Sequence, residues 1–230
     1  MMGYDKSTSR HLSRNRIALT NRPLALAAIA SVAIIASGIA SIVYANEPTA
    51  VPPTSAQPGL THPAVPEARR DAMAAAASLN GQLRSQLQSA LKSHGPVGAV
   101  AACSTIAPAV AAQVGQPPLT IKRTALRVRN ESNAADDFEL RILSAFVAQT
   151  AAGADPSSLV HEEVVSTAQG PAFRFMKAIP MADQPCSSCH GTSIAPDVAA
   201  EVKRLYPRDQ AVGFEPGQIR GAVSVTRLLP

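Results

Sequence analysis

The chain has 230 residues, 46% of them hydrophobic but only 3% aromatic and none Trp; that is room for one ordinary domain with extensions, it excludes a disordered chain, and it requires helices that pack largely through small side chains. The formal charge of +5 belongs to the start of the chain. Without Lys6, Arg10, Arg14, Arg16, Arg22 and Asp5, 16 basic and 15 acidic residues remain, a balance of +1 that excludes a nucleic-acid partner argued from charge.

The basic opening runs into an uncharged apolar stretch over 24–44, which is an export signal. At about 20 residues it is also long enough to span a bilayer, so a retained anchor competes with cleavage after Val43-Tyr44-Ala45. Both answers put the rest outside the cytoplasm, because the positive flank stays inside. Residues 1–45 are therefore expected to be signal or anchor. Residues 46–66 carry Pro48, Pro52, Pro53, Pro58, Pro63 and Pro66 and read as an extended linker. Residues 67–230 are expected to form the folded domain, and no internal repeat is visible in them.

Leu79, Leu83, Leu87 and Leu91 recur every fourth residue, with Ala72, Met73 and Ala76 extending the stripe, and Gly95-Pro96 ends it, which predicts a long amphipathic helix. A second helix is predicted after Pro96, with Val100, Cys103, Ala107, Val110 and Val114 facing inward. Leu119 to Arg129 reads as a strand through Leu119, Ile121, Leu126 and Val128, and a helix follows with Asp136, Asp137 and Glu139 in its first turn and Phe138, Ile142, Ala145 and Phe146 buried. Asn130 and Asn133 read as turn and cap residues. Residues 162–168 and 173–179 read as a hairpin around Gln169-Gly170-Pro171, a helix follows Pro196, and 218–229 alternates as a last strand. Helices first and a mainly antiparallel sheet after them make an α+β order.

Cys186-Ser187-Ser188-Cys189-His190 is the segment that carries chemistry. Two thiols three residues apart can add to the two vinyl groups of a porphyrin, and the imidazole directly after them can then ligate the iron, so the segment is that of a single covalent haem c. Shuffling this composition produces the pattern about once in two thousand trials. A thioredoxin-like disulfide lacks its aromatic or Pro context here, and zinc lacks a second Cys/His pair. The residues alone leave the second axial ligand open among Cys103, Met176, Met181, His94 and His161; Met176 reads as packing, and His161 and His94 as solvated. Arg123, Arg127, Arg129 and Lys177 are candidates to pair with haem propionates, with plain strand-surface charge as the alternative.

Several separated stretches follow one family in order: Ala101-Ala102-Cys103, Arg123 to Asn130, Asn133, Glu139, Phe173 to Pro180, Cys186 to Gly191, Tyr206-Pro207-Arg208-Asp209, Ala211, Gly213, and Gly217 to Ala222. With these the chain resembles the bacterial periplasmic c-type haem proteins of PAS-like fold, long classed as a domain of unknown function and found also as the sensing module of membrane signalling proteins. The resemblance covers nearly all of 67–230. It implies a PAS-like fold around one haem c, with the Cys103 thiolate as second axial ligand opposite His190 and the Tyr206 to Asp209 stretch shaping a loop over the haem. Such a thiolate favours ferric iron and lowers the potential, which suits sensing of redox state or of a diatomic gas, without catalysis. No kinase or cyclase region follows Pro230, so a sensor of this kind needs a separate signalling partner. An electron-transfer cytochrome is the competing expectation, and a haem peroxidase a distant third, since a filled sixth position leaves no open iron.

Overall fold

Small residues at one helical spacing decide how the domain begins. In the computed structural model, which describes residues 58–230, the helix α1 spans Val65–Val114, and Ala68, Ala72, Ala76 and Leu79 form its buried stripe. Gly95 breaks it at φ +66°, a conformation that costs Gly little and other residues more, and Pro96 follows. Ala72, Ala76 and Leu79 from the first arm share one core cluster with Val110 from the second, so the chain folds back at Gly95 into a helical hairpin. The two helices expected either side of Gly95-Pro96 are these two arms. Met73, expected in the stripe, is instead 54% exposed.

A turn at Gly115 leads to β1 (Leu119–Thr124), which alternates buried Leu119, Ile121 and exposed Thr120. The strand ends earlier than its apolar pattern suggests: Leu126 is 44% exposed, and the chain turns through a 3-10 segment, Glu131–Asn133, capped by the Asn130 side chain. The cap of α2 (Asp137–Ala151) is Asp136, not Asn133. Asp136 accepts from the Glu139 N–H while the Glu139 carboxylate accepts from the Asp136 N–H, a reciprocal capping box. The buried face of α2 is Glu139, Ile142, Leu143 and Phe146, with Phe138 only partly covered.

The hairpin is β2 (Val160–Thr167) and β3 (Gly170–Pro180), followed by the single turn α3 (Ser187–His190), by α4 (Pro196–Leu205) and by β4 (Ile219–Leu228). Among the described residues the strands make one antiparallel sheet in the order β1-β4-β3-β2. Its faces separate by strand alternation. Phe173, Phe175, Val223 and Val225 pack against α1, while Met176, Ala178 and Ala222 pack against α2. Arg227 reaches off β4 to Glu67 at 2.7 Å and Asp71 at 2.9 Å, fastening the first turns of α1 to the sheet.

The architecture is α+β, with helices packed against an antiparallel sheet, the PAS-like arrangement that the resemblance implies. Residues 1–45 and most of 46–66 lie outside the described residues, so the leader and linker expectations fall there.

Candidate haem site

Both arms of α1 leave an apolar stripe that the sheet does not cover. Leu79, Leu83, Leu87 and Leu91 from the first arm and Ala99, Val100, Cys103 and Ala107 from the second line a cavity in which the centre of a water-sized sphere has about 310 Å³ to move. The second arm is apolar enough to pass for a membrane span by composition, yet it is interrupted by Pro108 and spends its apolar face on this cavity and on the core. Cys186, Cys189 and His190 line the opposite wall, with Arg123, Arg129, Tyr206, Arg220 and Gly221 around them.

The turn α3 sorts the haem segment. Cys186 and Cys189, three residues apart, fall on one side of a helical turn and meet the cavity. Ser187 and Ser188 bond outward, each to the Gln184 side chain at 2.8 Å. The three cysteines are free thiols. The close of the turn requires glycine, because a Cβ on Gly191 would lie 2.6 Å from the Ser187 carbonyl oxygen.

His190 is held by its back nitrogen. Its Nδ1 lies 2.7 Å from the Ala211 carbonyl oxygen, which can only accept, so the proton sits on Nδ1 and the Nε2 lone pair is left for a metal. Burial pushes the pKa of this imidazole well below its ordinary value, and the charges of Arg220 and Arg129 push the same way, so the ring is neutral. Ala211 is fixed in turn. Its N–H donates to Asp209 at 2.9 Å, and Arg129 joins Asp209, the Cys189 carbonyl at 2.5 Å and the Ala211 carbonyl at 3.3 Å. Arg129 and Asp209 are nearly inaccessible, and their ion pair clamps the haem segment to the loop that supports His190.

Cys103 faces this wall from α1. Burial raises its thiol pKa, while Arg123 and Arg129 pull it down. A thiol in that setting stays protonated until a metal displaces its proton. Cys189 is likewise raised by burial against Arg129.

The other candidate ligands separate. Met176 lies on the α2 face with Ile142, Leu143 and Phe146, away from the cavity. Met181 does line the cavity, but it packs with Cys186, Ala211 and Phe214, on the side from which His190 rises. His94 sits exposed beside the break in α1. His161 is half-buried rather than solvated and pairs with Glu163 at 3.0 Å. Among the described residues no three His, Cys, Asp or Glu converge as a metal site would need. A macrocycle that brings its own four nitrogens needs only two, and His190 and Cys103 are the donors the cavity offers on its two walls.

The basic candidates separate as well. Lys177 donates to the Ser157 carbonyl at 2.6 Å and does not reach the cavity, and Arg127 donates to the Val212 carbonyl while lying 3.7 Å over the Phe214 ring. Two roles went unread in the sequence: Asp209 stood only within the Tyr206 to Asp209 stretch expected to shape a loop, not as a clamp, and Arg220 only within the Gly217 to Ala222 stretch, although a charge inside a largely apolar strand was a signal for it. Two buried polar atoms on residues of this wall, Thr124 Oγ1 and Arg220 Nε, have no partner in the protein. An apolar cavity with thiols, a neutral imidazole and unsatisfied donors on its wall fits a haem carrying carboxylates.

Residues 61–227 match the Tll0287-like family. Among solved structures, the cyanobacterial heme-protein Tll0287 superposes with a TM-score of 0.52 at 20% sequence identity, covering 70% of this chain and 94% of that one, which is a likeness of fold. No curated protein matches the chain.

Proposed function

Because the chain belongs to the Tll0287-like family, whose namesake is a heme-protein, we propose that it is an exported protein that carries one covalent haem c and reports redox state or a diatomic gas. The observation that carries this reading is the meeting of Cys186, Cys189 and His190 with Cys103 across one apolar cavity.

Cys186 and Cys189 would hold the haem covalently, each thiol adding across a vinyl group with its sulfur on one carbon and its hydrogen on the other. His190, whose Nε2 is left free by the bond from Nδ1 to the Ala211 carbonyl, would hold the iron. Cys103 on the facing wall would be its second protein donor, giving up its proton to do so. The haem supplies an iron that changes oxidation state and can exchange an axial ligand. The apolar walls from α1 keep water from it. Export fits this chemistry, since c-type haem is attached outside the cytoplasm, and the basic-then-apolar leader supplies the route.

Electron transfer is the second reading, and the partial exposure of Cys186 and Cys189 favours it by bringing a haem edge to the surface. Expression in a host that matures c-type cytochromes tests the shared part. The expected product is coloured and heavier than the polypeptide by one haem, and colourless protein of bare polypeptide mass ends the proposal. Cys103→Ala is expected to abolish the charge-transfer bands of a thiolate-ligated ferric haem. Carbon monoxide or nitric oxide binding to the reduced protein favours sensing, and fast electron exchange without gas binding favours transfer.

A further inference from the structure

We propose that Arg123 and Arg220 bind the two propionate carboxylates of the haem and so fix how the macrocycle is turned between α1 and the sheet. The inference rests on the haem reading above and names the residues that complete its site.

Each positive side chain near the cavity can be followed to its partner, and these two are left over. Arg129 is taken up by Asp209 and two carbonyls, Arg127 by the Val212 carbonyl and Phe214, and Lys122 by Glu139 at 2.9 Å. Arg123 lines the cavity with no side-chain hydrogen bond or ion pair among the described residues. Arg123 keeps an accessible surface, and the protein packed around its guanidinium lowers its pKa. Arg220 has one long hydrogen bond, 3.4 Å to the Arg127 carbonyl, lies 5.2 Å from the centre of the Phe214 ring, and finds no partner for its buried Nε. Burial, reinforced by Arg129 and Arg123, pushes its pKa down to about 10.

Buried charge without a counter-charge is costly, and Arg–carboxylate pairing is the strongest local remedy. Arg123, Arg129 and Arg220 line this wall, no carboxylate lines it with them, and Asp209 behind it is already used by Arg129. Two anionic groups are missing, and a haem brings two. The placement agrees. Arg123 pairs across the sheet with Val223, and although Arg220 is three residues further along β4, the register shifts there, with Ile179 opposite Gly221 and Pro180 opposite Ile219, and both arginines line the cavity with backbones on the order of 10 Å apart. Glycine at 221, on the same wall, lets β4 lie close to the end of β1, since a Cβ there would stand 2.4 Å from the Thr124 carbonyl oxygen.

The test uses holoprotein from a maturing host, as wild type, Arg123→Gln, Arg220→Gln, both Arg→Lys variants, and Arg69→Gln as a remote control paired with Glu162. Each Arg→Gln change is expected to shift the propionate-bending band in the resonance Raman spectrum and to lower the midpoint potential, because a positive charge that favours the reduced iron is gone. The Lys variants should move both readouts back toward wild type, and Arg69→Gln should leave them unchanged. An unchanged band in both Gln variants, or a shift in only one, overturns the pair assignment while one haem per chain is still measured. A wild-type protein without haem overturns the functional reading itself, whatever the arginines do.

Discussion

At the scale of single residues, the candidate site depends less on the Cys and His side chains that line it than on what holds them. His190 presents Nε2 because its Nδ1–H donates to the Ala211 carbonyl, and Ala211 is in place because Asp209 and Arg129 are. Arg129 and Asp209 are both shielded from water, so removing either leaves the other as an unpaired buried charge. Arg129→Met or Asp209→Leu should each destabilise the protein by roughly 3–5 kcal/mol in urea unfolding, and the double variant by less than either alone. A double variant as unstable as the sum of the two would mean that the pair does not act as a unit. Alternation and charge pattern could not reveal this clamp, because Arg129 and Asp209 are 80 residues apart. That Cys103, Cys186, Cys189 and His190 line one cavity follows a different route: three stand in one short motif, and the fourth was named from the family resemblance.

At the scale of elements, two glycines and one cap make opposite predictions. Gly81 lies mid-helix in α1 with nothing within 4 Å of an added Cβ, so Gly81→Ala should stabilise by about 0.5–1 kcal/mol. Gly221→Ala sets a methyl against the Thr124 backbone and should cost about 1–3 kcal/mol, both read by thermal or urea unfolding. The capping box of α2 predicts a pH dependence. Burial alone would raise the Asp136 pKa, but the Glu139 N–H and the Arg174 side chain hold it below its ordinary 3.8. A carboxyl depressed in the folded state stabilises fully above its unfolded value, and that contribution fades as pH falls through the folded value. Asp136→Asn should therefore be less stable than wild type near neutrality, and the gap should close below about pH 4, measured by urea unfolding across that range. Boundaries were legible where local chemistry sets them, as at Gly95 and Pro196. They were misread where apolar residues continued past the end of pairing, as at Leu126, which is exposed although it extends the pattern of β1.

At the scale of the whole molecule, the helical hairpin is the part that owes most to an occupant. The first turns of α1 are buried on the sheet, whereas the Leu79 to Leu91 stripe and the facing Ala99 to Ala107 stripe look onto the cavity. Without a group between them those residues lose packing partners on one side. A Cys186→Ala/Cys189→Ala protein lacking covalent haem should exchange backbone amides faster over 83–107 than the holoprotein, with 65–76 and the strands far less affected. Uniform protection in both forms would show that the hairpin holds itself. The class of the fold was open to reading because helix and strand periods alternate clearly along the chain. The hairpin's return onto the sheet was not, since a stripe of alanines gives the same pattern whether it meets protein or ligand.

The Arg227 contacts with Glu67 and Asp71 give the domain a polarity. They seat the first turn of α1 at one end of β4, while Arg220 and Gly221 stand at the cavity by the other end, six or seven residues and roughly 20 Å away. The chain therefore enters the domain at the pole remote from its cavity.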